Sequence, residues 1–443
     1  MFSVYIMAIL NAQLFIRLPY EQYLWKIHAA YLGCLLLFVY CYLLTVMLNK
    51  RSSAKILFMP MLVYLLLFLY PPVMAYLNHG QPLVYGYLAV RHFVTIISAL
   101  VVYVLLRHEV ISIGDLADTF LAVAWTSLVF FLLLTRIIEP TMEAGKNDVT
   151  VSVHLGVRYM FNISFIVYGC IHYFQMMVFR LGVWNVFSFL SFLFYILFIY
   201  KGRTTLAVVL FLLLLVLLRG LKSRVKKTFN NSIIMFCIGC MAISGGLVLY
   251  GDNDFLINLE ESFHSVWLSL NGELSEDDSA NSRVFQTEIV MKYWRGGVER
   301  WLFGNGWMSH QYKDGYKGAF GYFYPSDTGL IGGTFVFGVV GMVMVFMVVL
   351  TCLRWSNKVV KVCDHPGVSV IRYYYLYYLI MSLSTIEILD RSYHIAMMYG
   401  FFAYLYNQLK FPVNIVRIHH ATIRRSALIK EFCWVCPGRE QMD

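Results

Sequence analysis

The sequence predicts an all-α fold, a polytopic transmembrane helix bundle of eleven or twelve spans with one large loop on its outer side. Three observations predict it. Of 443 residues, 60% are hydrophobic and 14% charged, against roughly 25% charged residues in soluble domains. Mean hydropathy is +0.66. Apolar runs recur along the chain at about 20 residues each, the length that crosses a hydrocarbon core of about 30 Å.

The first run, residues 1–16, includes Asn11 and Gln13 and has no basic leader. It therefore reads as a short first span rather than a cleaved signal peptide. Further spans fall near 27–48, 55–77, 84–106, 115–135, 157–179, 183–200, 204–219 and 232–250, completing an N-terminal membrane unit of residues 1–250. Residues 251–326 form the large loop. Spans near 327–352, 373–388 and 393–410 make a C-terminal membrane unit of residues 327–410, and residues 411–443 are a basic tail. Neither repeated halves nor interrupted helices are expected among these runs.

Basic residues mark the cytoplasmic side of short loops. With the N-terminus inside, twenty of the 35 Lys and Arg lie in inside loops and the tail, and thirteen lie outside. The prediction is N-in, C-in. The run from Arg219 to Lys227 then belongs to the inside excess, an orientation signal with weak attraction to anionic lipid. The nine cysteines mostly sit in spans as small hydrophobes. Cys433 and Cys436 have CxxC spacing, with Cys363 and His365 as conceivable partners. A lone CxxC is a weak zinc signal, so neither metal nor cofactor is expected.

The large loop changes character along its length. Its first third is acidic and lacks an apolar face. The stretch "NSRVFQTEIVMKYWRGGVERWLFGNGW" interleaves Val284, Ile289, Trp294, Val298 and Trp301 with Arg283, Lys292, Arg295 and Arg300, which suits an amphipathic helix lying on the membrane surface. Gly304 and Gly306 are expected to stop that helix, and the tyrosines at 312, 316, 322 and 324 to form an interface belt. In "YPSDTGLIGG", Pro325 with Ser326 or Asp327 as N-cap predicts the start of the next span.

Several arginines converge on the outer side. Arg203, in the short turn "YKGRTT", stands at a helix start, where the dipole also favours anions. Arg91 lies roughly 10 Å inside its span at 1.5 Å per residue, a depth at which a cation faces the bundle interior. Arg158 sits at the outer end of its span, beneath His154. Guanidinium groups bind phosphate oxygens in pairs and stay charged. The cluster reads as a site for a lipid-linked phosphate or pyrophosphate.

The short outer turn "KGRTT", "NSR", the Trp/Arg stretch, "LFGNG" and "SDTGLIGGTFVFGVVG" together resemble the Wzy-type O-antigen polymerases, which group with the O-antigen ligases. The similarity covers roughly residues 200–345. Arg295 and Gly306 meet a loose Arg-to-Gly spacing of such polymerase loops. Ligases commonly carry a histidine where this chain has Ser326 and Asp327, which favours polymerase.

The resemblance implies a bacterial inner-membrane glycosyltransferase whose active site faces the periplasm. The donor would be a growing glycan on undecaprenyl pyrophosphate and the acceptor a lipid-linked repeat unit. Membrane lipid and a chain-length regulator protein are further expected partners, and no nucleic acid is. The expected catalytic residues are Asp327, Arg203 and Arg295. The pyrophosphate- and substrate-binding set is Arg91, Arg158, Arg203, Arg283, Arg295, Arg300, His310 and Arg391. Glu288, Glu299, His310, Glu387, Asp390 and His394 are alternatives to Asp327 as general base.

Other readings are a ligase or related lipid-linked oligosaccharide transferase, a lipid-linked sugar flippase or exporter, and a non-enzymatic scaffold. A scaffold has no reason to bury Arg91. The topology gives the first expected outcome. A reporter active only in the cytoplasm, fused near residue 280, should be silent, and activity there would overturn the assignment of residues 251–326 to the outer side.

Overall fold

The computed structural model describes residues 2–12, 30–38, 41–42, 56–137, 149–152, 156–159, 162–222, 228–235, 237, 264, 278–321, 323–363, 365–385 and 392–409. These are helical apart from connecting turns and one small hairpin. Besides helical residues at 30–38 and 228–235, the helices in chain order are α1 (Phe2–Ala12), α2 (Phe58–His79), α3 (Leu83–Val90), α4 (Ile97–Arg107), α5 (Ile113–Ile137), α6 (Ser164–Phe179), α7 (Val183–Phe194) and α8 (Arg203–Leu221). After the acidic stretch come α9 (Asp278–Trp294), α10 (Val298–Phe303), α11 (Gly315–Phe320), α12 (Gly329–Val362), α13 (Pro366–Met381) and α14 (Ser392–Leu409).

Among the described residues, six stretches are long and apolar enough to cross a membrane: Phe58–His79, Leu83–Arg107, Ile113–Thr135, Val183–Tyr200, Arg203–Leu221 and Pro325–Val362. Exposed leucines and phenylalanines such as Leu65, Leu133, Phe187 and Phe211 stud their outer faces, as lipid-facing surfaces require. The chain is built as a multi-pass membrane protein. Helix α6, of 16 residues, is a shorter apolar helix, and α1 has only 11 residues. The runs expected at 27–48 and 232–250 fall largely outside the described residues, as does the tail at 411–443 with Cys433 and Cys436.

Two boundaries differ from the sequence expectation. The run expected at 157–179 begins as a strand. Val149–Ser152 (β1) and Gly156–Tyr159 (β2) pair antiparallel, with Thr150 opposite Arg158, because alternating β-branched Val and Thr favour a pleated ribbon. Helix α6 starts only at Ser164. The run expected at 373–388 becomes α13, which begins at Pro366: proline suits a first turn, and His365 Nδ1 accepts from the Gly367 amide at 3.1 Å.

The helices are also interrupted, contrary to expectation. Between α3 and α4 the chain tightens into a 3-10 helix over Arg91–Ile96. Helix α7 ends in a π-helical turn, Tyr195–Tyr200. Helix α2 contains Pro71 and Pro72, and α12 is kinked at Gly338 (φ 63, ψ 176). Proline removes an amide donor, and a positive φ breaks the helical ladder, so the interruptions at Pro71, Pro72 and Gly338 free backbone groups inside the bundle.

Helices joined by short turns run antiparallel, so the end of α2 and the starts of α3, α8 and α12 share one end of the bundle. The core is unusually aromatic. Tyr373, Tyr374, Tyr375, Tyr377 and Tyr378 are all buried. Two of their hydroxyls meet each other, Tyr374 to Tyr378 at 3.0 Å, and Tyr375 donates to the Val349 carbonyl at 3.0 Å, which satisfies polar tips in an apolar interior.

At Gly338 an added Cβ would stand 2.2 Å from the Leu302 carbonyl oxygen. Left-handed backbone costs a side-chain-bearing residue about 1–2 kcal/mol, and overpacking adds about 1–3 kcal/mol. Gly338→Ala should therefore lower the thermal unfolding midpoint of the detergent-solubilised protein and reduce its accumulation. A wild-type midpoint would contradict the close approach.

Candidate functional site

The glycine-rich end of the large loop enters the bundle. After α10, residues 304–309 run without regular secondary structure between α2 and α12. The Asn305 amide donates to the Phe335 carbonyl at 2.7 Å and the Gly306 amide to the Val336 carbonyl at 3.0 Å, both acceptors lying just before the Gly338 kink, while the Trp307 amide donates to the Pro71 carbonyl at 3.2 Å. Backbone thus meets backbone on both sides. A Cβ on Gly306 would lie 2.2 Å from the Ala75 nitrogen, and one on Gly304 would lie 2.4 Å from the Gly338 nitrogen.

Side chains from the end of α2 complete the clasp. Asn78 Nδ2 donates to the Gly304 and Asn305 carbonyls at 3.3 and 3.2 Å, and His79 Nε2 meets Asn305 Oδ1 at 2.6 Å. Fully buried Gln81 spans the next turn: its Nε2 donates to the Trp307 carbonyl at 3.1 Å and its Oε1 accepts from the Ser309 amide at 2.7 Å. Tyr70 donates to the Phe303 carbonyl, and Tyr316 donates to the Gly306 carbonyl at 2.6 Å. The Trp307 ring packs against His92, Phe93 and Phe337, 5.4, 6.2 and 5.7 Å between centroids. It therefore bridges the 3-10 break and the α12 kink.

This clasp walls a cavity of about 390 Å³. Arg91 and Leu88 line one side, Trp307 to Gln311 a second, and Tyr316, Tyr324, Pro325, Ser326 and Val336 the rest. Arg91 Nη1 donates to the Leu88 carbonyl at 2.5 Å, bending the guanidinium back over its own helix end. His310 is exposed at the cavity rim, 6.2 Å from the Tyr324 ring.

Asp327 adjoins the cavity through Ser326, whose hydroxyl points at the Asp327 carboxylate at 3.5 Å. It is not the helix cap that the sequence implied. Pro325–Thr328 forms a 3-10 turn, and α12 opens at Gly329 with no side-chain cap. The Asp327 amide instead donates to the Tyr324 carbonyl at 3.0 Å. This local turn satisfies the backbone and leaves the half-buried carboxylate for other work. Arg283 of α9 is within electrostatic reach of it. Buried Gln286, one turn along α9, accepts from the Tyr324 amide at 3.1 Å, which ties the loop helix to the wall.

The remaining predicted residues fall elsewhere. Arg203 opens α8, and Arg158 lies in β2 beside the Tyr195–Tyr200 turn, so these two share one neighbourhood without lining the cavity. The amphipathic helix breaks at Gly296 and Gly297 into α9 and α10, which leaves Arg295 exposed at the break. Arg300 returns over the Tyr293 ring at 5.2 Å. Burial pushes the Tyr293 hydroxyl up from its usual value, and Arg300 pulls it down. Glu288 and Glu299 are exposed, whereas His394 is buried between Phe165 and Tyr378. Glu387, Asp390 and Arg391 lie outside the described residues. Among the described residues, no three His, Cys, Asp or Glu are grouped to hold a metal ion.

Fold and site together define a class: a multi-pass helical membrane protein in which a glycine-rich segment enters the bundle beside a cavity lined in part by Arg91. No family model and no curated protein matches the chain.

The clasp makes Gln81 a structural latch for the cavity wall. Gln81→Leu removes both its bonds and leaves the Trp307 carbonyl and Ser309 amide buried without partners, at roughly 1–3 kcal/mol for each group. A lower unfolding midpoint and new protease cleavage within 303–316 are the expected results. Unchanged resistance to protease would show that the segment is held elsewhere.

Proposed function

We propose that the chain is an integral-membrane glycosyltransferase of the O-antigen polymerase kind, acting at the periplasmic face of a bacterial inner membrane. One observation supports this reading most: a single cavity gathers the in-span cation Arg91, His310, Ser326 and two tyrosines, with Asp327 next to Ser326 and Arg283 within electrostatic reach of Asp327. Aromatic rings and hydroxyls suit sugar faces and edges. Guanidinium groups suit the pyrophosphate that leaves.

In this reading an acceptor hydroxyl on a lipid-linked repeat unit attacks the anomeric carbon of a glycan carried on undecaprenyl pyrophosphate. The new glycosidic C–O bond forms as the bond to pyrophosphate breaks, and the bonding pair departs with undecaprenyl pyrophosphate. Asp327 takes the acceptor's proton. Arg91 and Arg283 stabilise charge developing on the leaving group, where fixed cations in a partly dry site act strongly. Arg203, Arg158, Arg295, Arg300 and Arg391 would meet the donor's lipid pyrophosphate as it approaches from the membrane, and a chain-length regulator protein would act on the product. A ligase of the same superfamily would use the same groups with a different acceptor.

A flippase for lipid-linked sugar is the second reading. The helix breaks at Arg91–Ile96 and Gly338 favour it, because transporters commonly place interrupted helices at their binding sites.

One substitution separates them. Asp327→Asn disturbs no capping bond, so the protein should accumulate normally. For the polymerase, lipopolysaccharide should then carry single repeat units in place of long chains, since a general base contributes about 10²- to 10⁴-fold. A flippase defect would instead abolish capped lipopolysaccharide altogether. Normal polymer at normal abundance would remove Asp327 as the base. Arg91→Lys keeps the charge but loses the paired donors, and should shorten the chains markedly. Wild-type chain lengths would take Arg91 out of the site.

A further inference from the structure

The far end of the bundle carries a second cationic site unrelated to the cavity. Arg203 opens α8 and Arg219 lies in its last turn, roughly 24 Å apart at 1.5 Å per residue. There α8 packs against α6 and α13. Arg219 Nη1 donates to Ser369 Oγ of α13 at 2.7 Å. Arg372, one turn beyond Ser369, is within electrostatic reach of Arg219 and lies 5.9 Å from the Tyr373 ring.

Among the described residues neither guanidinium has a carboxylate partner. The ion pair found there joins Lys317 and Asp314, at the other end of the bundle. Arg372 makes no side-chain hydrogen bond to any described residue, and its Nε is buried without a partner. Two like charges within electrostatic reach of each other, one half-buried against an apolar bundle, repel and lose hydration. Such cations normally pair with an anion or a ligand.

The surroundings indicate what that anion is. Helix α8 exposes Leu210, Phe211, Leu214 and Leu218 on the way to Arg219, and the neighbouring helical residues 228–235 expose Phe229, Ile233 and Ile234. That surface suits acyl chains, and the guanidinium groups stand at its polar end, where a headgroup phosphate would lie. The fork geometry of Arg pairs phosphate oxygens, and Ser369 Oγ adds a third polar group. We infer that Arg219, Arg372 and Ser369 form a binding site for the phosphate of one anionic phospholipid, held in the leaflet at that end of the bundle.

The test uses the full chain in detergent. Its unfolding midpoint is followed while dioleoyl phosphatidylglycerol, dioleoyl phosphatidylcholine or inorganic phosphate is added. Phosphatidylglycerol should raise the midpoint by several degrees, and the other two should not. Exposed Arg219 can be changed without opening the core, so Arg219→Gln should raise the half-saturating phosphatidylglycerol concentration at least tenfold. Arg219→Lys should give a smaller loss, and Ser369→Ala provides an independent check if Arg372→Gln fails to accumulate. An equal shift with phosphatidylcholine, or an unchanged response in Arg219→Gln, would overturn the site. An equal shift with inorganic phosphate would overturn the lipid as its source.

Discussion

The structure depends on a backbone-to-backbone contact that only glycine permits. Inside a bundle the amides and carbonyls released by a helix break have no water to turn to, so partners must come from the protein. The Gly338 kink interrupts the α12 ladder, and the Phe335 and Val336 carbonyls beside it accept from the Asn305 and Gly306 amides. On the opposite side the same segment lies against the carbonyl of Pro71. Neither contact could form with a Cβ at Gly304, Gly306 or Gly338. The loop is therefore part of the bundle rather than a cover resting on it.

That contact also accounts for the position of Arg91. The 3-10 stretch Arg91–Ile96 is tighter than the α-helices on either side, and short 3-10 segments within helices often mark functional or strained places. Here the Trp307 ring, carried in by the glycine segment, packs against His92 and Phe93 of that stretch. The guanidinium then faces a cavity whose other walls belong to the loop and to the start of α12. A cation so deep in a span would be costly toward lipid, and the inserted loop supplies the polar surroundings that reduce the cost.

The helical, multi-pass character of the fold was legible in the sequence, because length and hydropathy identify membrane helices, and six of the expected runs are helices long and apolar enough to span among the described residues. What escaped were features that depend on contacts distant in the chain. Gly304 and Gly306 read correctly as the end of a helix, but local chemistry could not reveal that their missing side chains let the chain slip between two spans. Asp327 followed by an apolar run looks like a cap, and only the 3-10 turn at Pro325–Thr328 shows the backbone satisfied by other means. The arginines were visible as a group, yet the structure divides them: Arg91 and Arg283 come to the cavity region, while Arg203 and Arg158 stand beside the Tyr195–Tyr200 turn. Gln81 and Gln286 went unnoticed, since a single glutamine near a loop carries no pattern, although each latches one wall of the cavity.

The broken loop helix shows how the cavity relates to the lipid surface. Helix α9 buries Gln286 and Val290 against the cavity wall, which fixes its inner face. Its other side, with α10, exposes Phe285, Met291, Val298, Trp301 and Phe303. Large apolar residues exposed beside exposed Lys292 and Arg295 are the composition of a segment lying at a membrane interface. The inner face cannot leave the wall without unlatching Tyr324, and the outer face gains by resting on lipid. On the proposed reading, these constraints would hold the cavity mouth at the level of the headgroups. The proposed lipid-linked substrate would then bring its polar head to Arg91 while its tail stayed in the bilayer.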